Sequence, residues 1–135
     1  NLRILYANLG TIWYERSTDN GSTWTIMNNY QPLSTGEAKS PSIDYGFDNG
    51  VAIAYQQASG SYYTIQIKFF KLGALLASKE INTNYYPYYY SSDAYPGVTY
   101  GSTPNNQIVI VWQMKSSNPY YSSNLKYWVV NMIRI

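Results

Sequence analysis

The chain has 135 residues, 45% of them apolar, with nine Lys or Arg against seven Asp or Glu and neither His nor Cys. That is at most one domain's length with enough apolar surface for a core, which excludes wholesale disorder, and a net charge of +2 without basic clusters gives no footprint for nucleic acid. The missing residue types exclude Ser-His-Asp triads, Cys nucleophiles, zinc fingers and iron–sulfur clusters, leaving only carboxylate or Tyr chemistry.

Short runs rich in Ile, Val, Tyr, Trp and Thr recur along the chain, each bounded by Gly, Pro, Asn or Ser, and none sustains helical periodicity. They predict an all-β chain of about ten strands, near 2–8, 11–18, 23–28, 41–46, 51–57, 63–71, 74–82, 95–101, 107–115 and 124–133. Phe47-Asp48-Asn49-Gly50 and the stretch 101–106 are turn signals. The longest apolar run, Ile108-Val109-Ile110-Val111-Trp112, has the length of a strand and not of a membrane span. A first residue Asn1, with no Met, suggests a processed or excised chain. The 17 Tyr, together with abundant Asn, Ser and Thr, lean toward an extracellular or cell-surface setting.

Two segments repeat each other. Pro41 to Gly46 followed by Val51 to Gln56 matches Pro96 to Gly101 followed by Ile108 to Gln113, with both Pro and Gly 55 positions apart and Tyr55 and Trp112 57 apart. Each copy continues into a third strand, at 63–69 and 124–129, and the first adds a fourth at 74–81. Four antiparallel strands repeating at about 50 residues is the sequence pattern of a β-propeller blade, the alternative being two hairpins of a β-sandwich.

Ser17-Thr18-Asp19-Asn20-Gly21-Ser22-Thr23-Trp24 lies between two strands. It predicts a turn that braces itself: Asp19 accepts loop N–H groups, Gly21 takes a positive φ, Ser17 and Thr23 add hydroxyl bonds, and Trp24 pins the turn from beneath. With Ser17, Asp19, Gly21, Thr23 and Trp24 in place, the segment resembles the Asp-box, or bacterial neuraminidase repeat, and Tyr14-Glu15-Arg16 ahead of it is also typical of that family. The resemblance implies that the box is structural and joins the third and fourth strands of a propeller blade. Residues 1–39 would then be a partial blade (second to fourth strands), 40–94 a complete blade in which Lys71-Leu72-Gly73-Ala74 is a degenerate box, and 95–135 the first three strands of another. At about two and a half blades the ring cannot close, so the remaining blades are expected elsewhere in the same propeller or on a partner chain, and the chain alone should be poorly soluble.

In that register the loops 28–40, 57–62, 82–94 and 113–123 share one rim, and they carry most of the tyrosines: Tyr62, Tyr85, Tyr86, Tyr88, Tyr89, Tyr90, Tyr120 and Tyr121 among them. Tyr joins a flat apolar ring to a polar tip, which suits stacking on a glycan or contact with a surface protein, and equally a cover over the blade junctions. The short polar loops fall on the opposite rim.

Resemblance to sialidases also raises glycoside cleavage. That family implies three arginines clamping a carboxylate, an Asp acid/base and a Tyr–Glu nucleophile pair; Arg3, Arg16 and Arg134 match no clamp position, and no Tyr–Glu pair can be matched. Of the acidic residues only Glu37 and Asp93 fall on the Tyr-rich rim, and they read as solvated loop carboxylates more readily than as a catalytic pair. Asp19-Asn20-Gly21 and Asp48-Asn49-Gly50 offer one carboxylate each and read as turns, so neither a metal nor a cofactor is expected. The reading is a binding or assembly segment without catalytic residues of its own. Its alternatives are a fragment of a sialidase-like or other glycoside hydrolase, and a self-associating structural subunit that completes its edges with copies of itself.

Overall fold

The structure, a computed structural model, describes residues 1–46, 49–60, 62–82, 95–101, 107–114 and 124–131, with the backbone alone at 62, 82, 107, 112–114 and 124–131. The elements run β1 (Leu2–Asn8), β2 (Thr11–Ser17), β3 (Thr25–Ile26), a single turn α1 (Met27–Tyr30), β4 (Ala38–Tyr45), β5 (Gly50–Ser59), β6 (Tyr62–Lys71), β7 (Ala74–Asn82), β8 (Gly97–Gly101), β9 (Gln107–Met114) and β10 (Asn124–Asn131). Among the described residues the chain is all-β apart from that one turn. Among the described residues no helix is long and apolar enough to cross a membrane.

Consecutive strands pair antiparallel into three meanders: β1-β2-β3, β4-β5-β6-β7 and β8-β9-β10. Tight turns set their registers. Leu9-Gly10 and Leu72-Gly73 each close a two-residue hairpin with positive φ at both positions (48° and 77°, 50° and 82°), the twist-matched geometry of a type I′ turn.

The four-stranded sheet lies between the other two. Along β5 the side chains alternate: Val51, Ile53 and Tyr55 pack with Ile12 and Tyr14 of the first sheet, while Ala52 and Ala54 pack with Tyr100, Ile108 and Ile110 of the third. Two aromatic contacts repeat the arrangement on either side, Phe70 with Tyr14 and Phe69 with Tyr100, each with ring centroids 5.2 Å apart. Asp44 ties β4 to β8, its carboxylate accepting from the Tyr100 N–H at 2.8 Å and the Thr99 hydroxyl at 3.2 Å, while Ser42 Oγ accepts from the Val98 N–H at 3.1 Å. The residue numbers in these bonds rise together, so β4 and β8 run the same way and the two sheets share their ends.

The internal repeat is conserved in register. Ser42, Ile43, Asp44 and Tyr45 face Ala54, Ile53, Ala52 and Val51, and their counterparts Gly97, Val98, Thr99 and Tyr100 face Val111, Ile110, Val109 and Ile108. The residues before the matched prolines, Ser40 and Tyr95, both hold a positive φ, 53° and 45°, a conformation that proline disfavours in its predecessor. The sheets also stack in one sense. Val51 and Ile53 look back at the first sheet, and their counterparts Ile108 and Ile110 look back at the middle one.

Matching the two-residue turns 9–10 and 60–61 aligns the first sheet on the middle one, with Tyr14 on Ile65, and both of these face forward. The stack is therefore head to tail, with unlike faces meeting at each junction.

One predicted strand is shortened. The sequence predicts a strand at 23–28, but β3 spans two residues and is stopped by three successive left-handed residues, Asn28, Asn29 and Tyr30 at φ 60°, 56° and 61°, where a single one, such as Ser40 in β4, makes only a bulge. Asn tolerates that region best of the non-Gly residues, and Asn28 Nδ2 braces it by donating to Pro32 O at 3.0 Å.

Candidate functional site

The turn between β2 and β3 is organised by two side chains. Ser17, buried at the end of β2, donates its hydroxyl proton to Asp19 Oδ1 at 2.8 Å and accepts from the Gly21 N–H at 2.8 Å. Asp19 accepts from the Thr23 N–H on Oδ1 at 2.8 Å and from the Thr23 hydroxyl on Oδ2 at 2.6 Å. These donors, those of Thr23 foremost, hold the Asp19 carboxyl at a pKa of about 2. Gly21 has φ 90°, and a Cβ there would sit 3.5 Å from Leu2 Cδ1 and 3.7 Å from Trp24 Cζ2, so the indole lies against the turn. Its Nε1 donates to Gly21 O at 3.1 Å, and the ring remains 40% exposed, on the outward face of the first sheet beside Leu2.

At the opposite end of the stack the loops converge. Ala38 N–H donates to Gly10 O at 2.7 Å and Ala58 N–H to Glu37 O at 2.8 Å, which joins the β1–β2 turn, the 31–37 loop and the β5–β6 turn. The loop is anchored from below by Tyr55, whose buried hydroxyl donates to Leu33 O at 2.9 Å and whose pKa burial pushes well up. β7 ends at Asn82 and β9 at Met114 on this same end.

Of the rim tyrosines expected from the sequence, Tyr62 has its backbone in β6, and Tyr85, Tyr86, Tyr88, Tyr89, Tyr90, Tyr120 and Tyr121 lie outside the described residues, as does Asp93. Tyr63, at the edge, carries Lys39 Nζ 4.6 Å from its ring centroid.

Sequence reasoning gave no role to Arg3 and placed Arg16 only in the strand before the box. The structure sets the two directly opposite each other across β1 and β2, on the face that carries Leu5, Ile12 and Tyr14 toward the middle sheet. The Arg3 guanidinium lies 4.9 Å from the Tyr45 ring centroid, and the nearby Arg3 and Arg16 charges partly offset the upward push that burial gives the Tyr14 pKa. The signal was in the alternation: Arg3 and Arg16 share the inward phase with Leu5 and Tyr14, where an aliphatic residue is expected.

Asp19 and Asp44 spend their carboxylates on structural donors, so neither is placed as an acid or base. Comparison of the chain with protein-family models, with curated proteins and with solved structures gives no match.

Proposed function

We propose that these residues are successive blades of an Asp-box type β-propeller and that they serve, outside the cell, as a binding and assembly module through the loop end that bears most of the tyrosines. The observation that carries this reading is the head-to-tail stack. A sandwich joins like faces and is finished with two sheets, whereas unlike faces leave one unfilled surface of each kind and continue until a ring closes. Among the described residues both outer surfaces carry exposed apolar side chains. Val111, the counterpart of fully buried Ala54, is 43% exposed on the far side of the third sheet, and Leu2 and Ile4 are exposed on the far side of the first. Further blades, in the same protein or on a partner, would cover them.

The tyrosine-bearing end is supported as the binding face by topology. β7 and β9 both deliver the chain to the end where the 31–37 loop and the β5–β6 turn already meet, and the two longest Tyr-rich stretches, 83–94 and 115–123, start there. A concentration of rigid amphipathic rings on one end suits a glycan or a protein surface. Two measurements test the proposal. Images of the intact protein by electron microscopy should show a ring with a central channel, and a closed two-sheet sandwich would refute the architecture. Tyr88→Ala with Tyr89→Ala should weaken binding on a glycan array or to a captured surface protein, and unchanged binding throughout would remove the functional assignment while leaving the ring intact.

A further inference from the structure

Arg3 and Arg16 occupy the places that Ala54 and Ile67 hold in the middle sheet, where those two face each other in register and are fully buried. A pair of aliphatic side chains at one sheet junction is thus a pair of guanidinium groups at the other. Like charges directly opposite on a sheet repel, and this pair lies partly out of water. The Nε of each arginine is shielded from solvent and has no acceptor among the described residues.

Arg16 lines two spaces: a small gap of about 10 Å³ shared with Arg3 and Tyr14, and an open groove of about 510 Å³ at the box end. The groove is walled by Arg16, Thr18, Thr23, Thr25 and Asn29 on one side and by the apolar Met27, Leu72 and Ala74 with Gly73 on the other, with no Asp or Glu among its described lining. Gly73 admits the arginine closely: a Cβ there would lie 3.8 Å from Arg16 Nη1 and 3.2 Å from Met27 Cε.

We propose that this groove is an oxyanion site, in which the Arg16 guanidinium, backed by Arg3, holds a carboxylate, sulfate or phosphate group of a small molecule while the hydroxyls of Thr18 and Thr25 bind its neutral polar remainder; the Thr23 hydroxyl is already given to Asp19. The chemistry follows from the parts. A guanidinium presents a planar fork that matches two oxygens of such a group, and a second cation behind it deepens the attraction without needing contact. An anion in the groove relieves the repulsion between the two arginines, so the site stabilises the junction when filled. The volume exceeds that of a bare ion, which is why a small organic anion fits it better than sulfate alone. The groove opens beside the β2–β3 turn, at the end of the stack opposite the 31–37 loop, and does not depend on the role of the tyrosines.

The test is a titration of the ¹⁵N-labelled full chain with sodium sulfate and with sodium acetate, at ionic strength held constant with chloride. Saturable amide shifts at Thr23, Thr25 and Gly73 are expected with both anions. Arg16→Gln should weaken binding at least about tenfold and Arg16→Lys, which keeps the charge but not the fork, by a smaller factor. Arg16→Lys also serves where Arg16→Gln disturbs folding, since well-dispersed amide signals show that the lysine variant is folded. Shifts that stay linear in anion concentration and spread over the surface would overturn the proposal, as would wild-type affinity in Arg16→Gln.

Discussion

Replacing Ser17 by Ala probes the lock at the β2–β3 turn more sharply than removing any other member. The hydroxyl is the hub of the loop: without it the Gly21 N–H loses its acceptor and Asp19 Oδ1 loses a donor, both at 2.8 Å, at a position that is 1% exposed. Leaving a shielded N–H unpaired costs about 1–3 kcal/mol, and since the loop beyond Ser17 is partly open to water, about 2 kcal/mol is the expected loss. With an unfolding entropy of about 2.1 cal/mol/K per residue, 2 kcal/mol lowers the Tm of a 135-residue chain by about 7 °C. Urea and thermal denaturation measure the loss. Carboxyl-carbon NMR gives a second readout, because Asp19 should titrate above about 2 once the Ser17 donor is gone, while the two Thr23 donors still hold it below the ordinary Asp value of 3.8. A variant within about 0.3 kcal/mol of wild type whose Asp19 titration has not moved would refute the idea that Ser17 organises the turn.

Asp19 also predicts a pH dependence. Its folded pKa of about 2 lies below the unfolded value near 3.8, so its contribution is present above about pH 4 and lost as pH falls toward 2; Asp19→Asn should flatten that part of the Tm profile. Leu9→Asn should raise stability by about 0.5–1 kcal/mol in thermal melts, since Leu9 is 97% exposed at φ 48° and has strain but no packing to lose. Ala54→Leu should cost about 1–3 kcal/mol by overpacking against the third sheet, whereas a middle sheet with that face open to solvent would accept leucine at no loss.

The strands were legible in the sequence because alternation and turn residues agree: the β5–β6 and β6–β7 hairpins fall where Ile65, Ile67 and Phe69 alternate with polar neighbours and where Gly60 and Gly73 supply positive φ. The repeat was legible for the same reason, and its register holds although the connections differ in length. The end of β3 was not, since Asn28-Asn29-Tyr30 satisfies a strand pattern by composition and is stopped by backbone angles that composition does not encode. The arginine pair was hidden for another reason: a charge at an inward position looks like a break in the pattern until the sheet it faces is known. The hydrogen bonds of the β2–β3 turn could be read beforehand because they join residues within eight positions of one another, and the Trp24 ring lies against that turn, partly in water.

The meander order has a kinetic consequence. Every ladder joins strands that are neighbours along the chain, so each sheet can form before it meets another, and the late step is docking, fixed by side-chain bonds such as those of Asp44. Among the described residues only the middle sheet is shielded on both sides. Amide hydrogens of β5 and β6 should be the last to exchange with solvent, and heat should loosen the chain from its two outer sheets inward.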